Sequence, residues 1–443
     1  MINTKSYKLP EGYSLLQTTL KTPDFLKDPL AFIMGNMKKF NGTYSVKLGL
    51  KNAAILTQDP NFISYVLKDN QRNYQKDGFA VRRSVKYVGN GLVFSDGDYW
   101  RRQRRLIQPS FHRQKIRDLS ANVLQTIQTN LDDFTLNEPT DIVPTVQKVI
   151  FKTLLKSLFD IPLAPETMDF FREGFIEIQD FLLQDINNPL RRLFYPFNGV
   201  EKKAVAKIEK IRRLFLDIID ERRASQESFS DILDMLLNSH YEDNGETMND
   251  TQMIDELLIF ISAGHETTAN TLNWLLYLLA ANPEVQDKIH HLVANRPIEN
   301  TANDIYMQAV INEGMRLYPP TWSTQRGTIN DDEFGEYKYP KDTVIIPFFY
   351  GLHRDEKLWQ DAANFQPERF IEGDKLKKFK HFFPFGAGPR MCIGNHFAIM
   401  EMAYFVGAFL KKYRIKTTGQ IPKTQTFLTM GPDKVELLVE KRD

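Results

Sequence analysis

The run from Asn249 to Ala281 constrains this chain most. It keeps a helical period without interruption until Asn282-Pro283 closes it, and at about 1.5 Å per residue it spans on the order of 45 to 50 Å. That is long enough to cross the molecule. Its flanks are apolar (Leu257 to Ile261, then Leu275 to Leu279), yet its middle reads Ala263-Gly264-His265-Glu266-Thr267-Thr268. A glycine inside a helix costs about 1 kcal/mol relative to alanine, and an acid with two hydroxyls in an apolar stretch needs partners. Threonine hydroxyls can bond back to the preceding turn and bend the helix, so a local distortion serving a function is expected here. His-Glu on a helix also opens the zinc-protease motif. That motif needs a second histidine at position 269, where this chain has Ala269, and zinc is rejected.

The only cysteine, Cys392, lies in Phe385-Gly386-Ala387-Gly388-Pro389-Arg390-Met391-Cys392-Ile393-Gly394, ahead of a run from Asn395 to Lys412 that reads as one amphipathic helix. A cysteine at a helix N-terminus beside an arginine has its thiolate favoured by free backbone N–H groups and by the guanidinium. Gly386 and Gly388 permit a tight turn with positive φ, and Gly394 removes a side chain that would collide with a flat group over the sulfur. Phe385 can cover the sulfur from below, and Arg390 can reach an anionic edge of the flat group. A lone cysteine is more often a small buried hydrophobe. This pattern instead meets the demands of a haem held by one thiolate, a ligand that favours O–O cleavage.

At these residues the chain resembles the cytochrome P-450 family of haem-thiolate monooxygenases. The loop matches the family signature at Phe385, Gly388, Arg390, Cys392 and Gly394, with the usual alanine at Ala398, and Ala263 through Thr268 match its acid-alcohol helix motif. The resemblance implies a mainly α, single-domain fold over residues 1–443, with about a dozen helices around a buried haem b and small β-sheets near both termini. It makes Cys392 the axial ligand and gives Glu266 and Thr267 the guidance of protons, through ordered water, to dioxygen. Arg390, Trp100, Arg104 and Arg326 become propionate partners, and Phe385 and Gly394 further haem contacts. Glu313 and Arg316 join Arg369, from Pro367-Glu368-Arg369-Phe370, in a structural brace. By itself Glu-x-x-Arg is a poor signal, because exposed pairs at that spacing contribute little.

Other segments add expectations. Tyr44 to Leu56 reads as a small hairpin, and Thr343 to Phe349 as a strand. Thr426 to Met430 and Lys434 to Val439 read as a terminal hairpin whose tip, Leu428 and Thr429, touches substrate together with Phe260, Ala263 and Trp322. Asp96 or Asp98 caps a helix that Pro109 closes, placing Trp100 and Arg104 on one face. Arg101, Arg102 and Arg105 stay wet; with Lys377, Lys378, Lys380, Lys411 and Lys412 they form a basic patch suited to an acidic electron donor. From Pro162 to Lys210 aromatics are dense (Phe170, Phe171, Phe175, Phe181, Phe194, Tyr195, Phe197). The resemblance places mobile lid helices there, and core packing explains these residues almost as well. Asn187 to Arg192 and Tyr241 to Met248 read as loops.

The formal net charge of +1 argues against a nucleic-acid binder, and one cysteine excludes an intrachain disulfide. Met1 to Lys27 is broken by charges and Pro10, so neither a signal peptide nor a spanning helix is read, and a soluble, cytoplasmic, monomeric protein is expected. No Gly-x-Gly-x-x-Gly fingerprint occurs and the chain ends at residue 443, so no fused reductase is expected. A separate ferredoxin or flavodoxin system would deliver electrons from NAD(P)H. The implied reaction inserts one atom of O2 into a C–H bond of a large hydrophobic substrate: a carotenoid or terpenoid, which needs no anchor, or a fatty acid, whose carboxylate Lys51 or Arg82 could hold. A peroxide-driven peroxygenase, an isomerase or dehydratase would not need the acid-alcohol pair, and a haem sensor would need neither substrate nor donor.

Overall fold

The computed structural model describes residues 6–49, 53–76, 78–160, 164–225, 227, 229–371, 380–426 and 428–442. The fold is mainly α, as expected. Helices of ten or more residues are α1 Leu15–Lys27, α2 Pro29–Lys39, α3 Phe79–Val88, α4 Gly97–Ile107, α5 Ser120–Asn130 and α6 Val143–Phe159, then α7 Pro165–Asn187, α8 Val200–Ala224, α9 Asp250–Ala281, α10 Pro283–Ala294, α11 Ile305–Leu317 and α12 Asn395–Lys412. None of the described helices is long and apolar enough to cross a membrane. The chain divides into two compact units, one built from Met1–Asp77, Asn312–Cys392 and Thr429–Gly431, the other from Gly78–Ile311, Ile393–Leu428 and Pro432–Asp443.

The first unit is organised by a six-stranded mixed sheet in the order Gly12–Tyr13, Thr43–Lys47, Ala53–Thr57, Val344–Pro347, Arg326–Thr328, Tyr74–Gln75. The N-terminal hairpin falls where the alternation put it, with Thr43 opposite Thr57 and their hydroxyls 2.8 Å apart. Val344–Pro347 pairs parallel to Ala53–Thr57, and the strand expected to reach Phe349 stops at Pro347, where Phe349–Leu352 turns helical. Phe62, Ile63, Val66, Leu67, Tyr339 and Phe349 form one core with Phe383 and Ala387, which anchors the start of the cysteine segment.

The second unit is built on α9, whose N-cap Asn249 accepts the Gln252 N–H at 3.0 Å. The helix is continuous from Asp250 to Ala281, with no 3-10 or π turn around Gly264, and the Thr267 hydroxyl donates to the Ala263 carbonyl at 2.7 Å. Helix α12 departs from its amphipathic reading. It is buried without interruption from Met400 to Leu410, because α5, α9 and α10 pack on different sides of it. The C-terminal strands also re-pair: Glu436–Lys441 lies antiparallel between Tyr413–Thr417 and Pro139–Asp141 rather than against Thr426 to Met430. Of the expected loops, Asn187 to Arg192 is largely helical, since α7 runs to Asn187 and a 3-10 turn follows from Pro189. There Arg192 Nε bonds back to the buried Asp185 carboxylate at 3.0 Å. Tyr241 to Met248 is a turn closed by Tyr241 N–H to Glu246 O at 2.8 Å.

Candidate active site

Within the first unit, main-chain hydrogen bonds close the cysteine loop. Cys392 N–H donates to Phe385 O at 2.9 Å, Gly386 N–H to Phe383 O at 3.1 Å and Met391 N–H to Gly388 O at 3.0 Å. Gly386 and Gly388 carry φ of +72° and +69°, and a Cβ on Gly388 would stand 1.9 Å from Leu67 O. Glycine is therefore required there twice over, by conformation and by close approach. The result is a turn that leaves Cys392 exposed, with Phe385 and Arg390 half-buried beside it. Arg326 is buried at the start of its strand, with Nη1 bonded to Gln325 O at 2.7 Å and Thr324 Oγ1 at 3.2 Å. Trp322 packs edge-on against Phe348. Thr429 precedes the strand Met430–Pro432, and Leu428 is exposed.

The structure brings Glu313, Arg316 and Arg369 together. Arg316 grips the Glu313 carboxylate through Nε and Nη2, both at 2.8 Å, and Arg369 Nε reaches Glu313 Oε1 at 3.0 Å. Two links were not legible beforehand. Arg316 Nη1 also donates to His353 O at 2.8 Å, and His353 Nε2 accepts the Phe383 N–H at 3.0 Å. Hydrogen bonds thus run continuously from the ion cluster to the residue whose carbonyl anchors Gly386. Burial and the Arg316 charge hold the His353 imidazole down to about 3, so it is neutral and free to accept.

In the second unit, α9 is buried from Gln252 to Ile261 and again from Thr268 to Leu276, and between them it carries accessible surface from Ser262 to Thr267, most of all at Ala263. This central turn is fixed from two sides. Towards α6, His265 donates Nε2–H to Gln147 O at 3.0 Å, and a Cβ on Gly264 would lie 3.2 Å from Leu154. Burial holds His265 down to about 4, so it is a neutral tether. Towards α7, Gln179 Nε2 donates to the Glu266 carboxylate, a partner 87 residues away that no local pattern announces. Phe260 packs edge-on against Phe111. Trp100 is buried on α4, and Arg104, one turn later, is half-buried with Nε 3.3 Å from Gln108 Oε1.

The basic patch changes character. Arg101 pairs with Asp98, Lys412 with Asp132, and Arg102 with Asp243 while lying over the Tyr241 ring. Arg105 is exposed; Lys377, Lys378 and Lys51 lie outside the described residues. Arg82 is exposed. Among the aromatics of the lid region, Phe171, Phe175, Phe181 and Tyr195 are core, and Phe194 and Phe197 are exposed.

Glu401, on α12, is a further acid that the sequence reading passed over. It bonds Thr268 through one oxygen, while Oε1 has no side-chain or backbone partner, and burial raises it from 4.5 to about 8. A raised folded value means that the carboxyl's contribution to stability is complete below pH 4.5 and is lost as pH climbs through about 8. Glu401→Gln keeps an acceptor for Thr268 and never ionises. Its unfolding midpoint is expected to match wild type at pH 5 and to exceed it by about 2 °C or more at pH 9. Circular-dichroism melts at the two pH values check this, and a variant no more stable than wild type at pH 9 contradicts it.

Comparison with known proteins shows the family to which this fold belongs. The family profile "Cytochrome P450" matches residues 9–439; the chain belongs to the cytochrome P450 family. It is 31% identical to cyclooctat-9-en-7-ol 5-monooxygenase of Streptomyces melanosporofaciens, over 88% of this chain and 85% of that protein. It is 26% identical to pentalenene oxygenase of Streptomyces avermitilis, over 88% and 87%. Among solved structures, a mutant haem domain of cytochrome P450DA superposes with a TM-score of 0.87 at 21% identity, covering 98% of both chains. The protein is therefore a cytochrome P450 monooxygenase, working with haem b, O2 and electrons from NAD(P)H.

The residues present fit a haem. Among the described residues, no group of three or more His, Cys, Asp or Glu could hold a metal ion, so Cys392 offers a single sulfur rather than a ligand set. One accessible sulfur on a glycine-opened turn would suit a metal that brings its remaining donors with it. Gly394 fits the same demand, because the nearest atom to a Cβ built there is Phe111 Cε1, 4.0 Å away.

Proposed function

We propose that this enzyme hydroxylates a large hydrophobic terpenoid, with Cys392 as the thiolate that would hold the haem and Glu266 and Thr267 as the proton-delivering pair. The observation that carries the second assignment is the accessible turn Ser262–Thr267 in a helix buried on either side of it. An acid and an alcohol at that one turn can pass protons inward while the flanks stay dry. The overall conversion takes R–H, O2, two electrons and two protons to R–OH and water. When bound, haem supplies the oxidising chemistry for inserting the oxygen atom. Thr267 donates its own proton to Ala263 O, which turns the hydroxyl's lone pairs outward as acceptors for water. Glu266 supplies the acidic group of the pair. Trp100, Arg104, Arg326 and Arg390 are assigned to the propionates, Phe385 and Gly394 to the haem faces, and Phe260, Ala263, Trp322, Leu428 and Thr429 to substrate contact.

The substrate class is supported by the two Streptomyces relatives, one named for cyclooctat-9-en-7-ol and the other for pentalenene. Electrons come from a separate ferredoxin or flavodoxin, and the enzyme works as a cytoplasmic monomer. Titrating the holoenzyme with pentalenene, β-carotene and palmitate tests the class: a haem spectral shift with the terpene supports it, and a shift with palmitate alone overturns it. For the acid, Glu266→Gln is expected to cut product per NAD(P)H by about 10²-fold with unchanged substrate-binding spectra. Wild-type coupling in that variant removes Glu266 from the mechanism.

A further inference from the structure

We infer that Gln179 is a positioning residue for Glu266: carried on α7, its amide holds the acid's carboxylate, and displacement of α7 releases it. The inference deepens the reading of Glu266 as proton donor and rests on it. Three observations carry it. The amide of Gln179 donates directly to the Glu266 carboxylate, and both side chains are only half-buried, so the bond can open without exposing a core. Around that contact, α7 is committed to other partners. Phe171 stacks on Phe215 of α8 at 5.1 Å, Gly174 brings α7 close enough that a Cβ would meet Ile211 at 2.8 Å, and Lys207 reaches Glu177 at 2.9 Å. At its far end Asp185 is gripped by Arg83 of α3 at 2.6 Å, and Phe181 meets Tyr87 edge-on at 4.9 Å.

Helix α7 is thus packed on α8 and α3, and α8 is itself tied to α9 through Arg212 and Asp255 at 2.8 Å; the Gln179 to Glu266 bond joins α7 directly to the central turn of α9, which His265 tethers on its other side to Gln147 O. Any shift of α7 relative to α9 is felt at the Gln179 to Glu266 bond. The chemistry of the holder matters as well. A neutral amide orients the carboxylate through a hydrogen bond and adds no charge beside it. A closed α7 thus sets the carboxylate in one rotamer, and an open one frees it to turn.

The test uses holoenzyme and four variants. Gln179→Met keeps length and loses the donor; Gln179→Lys restores a donor; Glu266→Gln keeps an acceptor but no acid; Glu266→Ala removes both. In hydrogen–deuterium exchange without substrate, peptides covering residues 172–187 are expected to exchange about tenfold faster in Gln179→Met and Glu266→Ala. The double variant should exchange no faster than either single, and Gln179→Lys and Glu266→Gln should stay near wild type. With surrogate ferredoxin, reductase and pentalenene as probe, Gln179→Met should release more hydrogen peroxide per NAD(P)H at unchanged binding spectra, and Gln179→Lys should return it towards wild type. Wild-type exchange in Gln179→Met, or additive effects in the double variant, overturns the latch and leaves the acid assignment standing. Full coupling in Glu266→Gln, with exchange behaving as stated, overturns the acid assignment and leaves the latch.

Discussion

Replacing Cys392 with alanine is expected to abolish oxygenation and the long-wavelength Soret band of the reduced carbon monoxide complex from which the family takes its name. The fold itself should survive. The Cys392 side chain is exposed, and the turn is held by main-chain bonds, Cys392 N–H to Phe385 O among them. Removing Sγ thus opens no cavity, and stability of the polypeptide should change by only about 0.5 kcal/mol. Gly388→Ala is the complementary change. Its new Cβ would meet Leu67 O at 1.9 Å and the residue would keep an unfavourable φ of +69°, so the turn must move, and haem content should fall although the sulfur remains. Absorption spectra and pyridine haemochrome assays of both purified variants separate ligand chemistry from loop geometry. A Cys392→Ala protein with native haem content, spectrum and turnover would remove the foundation of every role assigned to the site.

Elements fixed by short-range physics were legible in the sequence. Asn249 caps α9 because an Asn before an apolar periodic run satisfies a free N–H, and Asn282-Pro283 ends it because proline removes the next donor. The glycine spacing of the cysteine loop foretold its positive φ values, since few other residues adopt them. Glu313, Arg316 and Arg369 could be grouped only through the resemblance, because spacing reveals the first pair and says nothing of a third charge 53 residues after Arg316. What stayed hidden depends on contacts between distant segments. Gln179 looks like any polar residue on a helix, Glu401 like an exposed one in an amphipathic run, and His353 like one of eight histidines. Each acquires its role when another element packs against it. The re-paired Glu436–Lys441 strand has the same origin: alternation specifies that a segment pairs, whereas the choice of Tyr413–Thr417 over a nearer segment is set by the sheet it joins.

Glu313→Gln is expected to destabilise the first unit by about 3 to 5 kcal/mol, more than Arg369→Ala. The two arginines are not equivalent. Arg316 is fully buried, and besides the Glu313 carboxylate its guanidinium has only carbonyl acceptors: His353 O and Ala362 O at 2.8 Å and Asn364 O at 3.1 Å. Carbonyl dipoles orient a cation but do not neutralise it, so losing the Glu313 charge leaves a buried, uncompensated guanidinium. Glu313 Oε1 also accepts the Gln366 N–H at 2.9 Å, and glutamine can replace only part of this set. Removing Arg369 leaves the buried Glu313–Arg316 pair intact, so its loss should cost less. The damage should spread along one route: slack in Arg316 loosens His353 O, then the Phe383 N–H that His353 accepts at 3.0 Å, then the turn bearing Cys392. Urea unfolding followed by far-ultraviolet circular dichroism gives the order of stabilities, and haem release into excess apomyoglobin gives the effect on the loop. The brace is refuted as the loop's support if Glu313→Gln unfolds at the Arg369→Ala midpoint, or if it unfolds early and still releases haem at the wild-type rate.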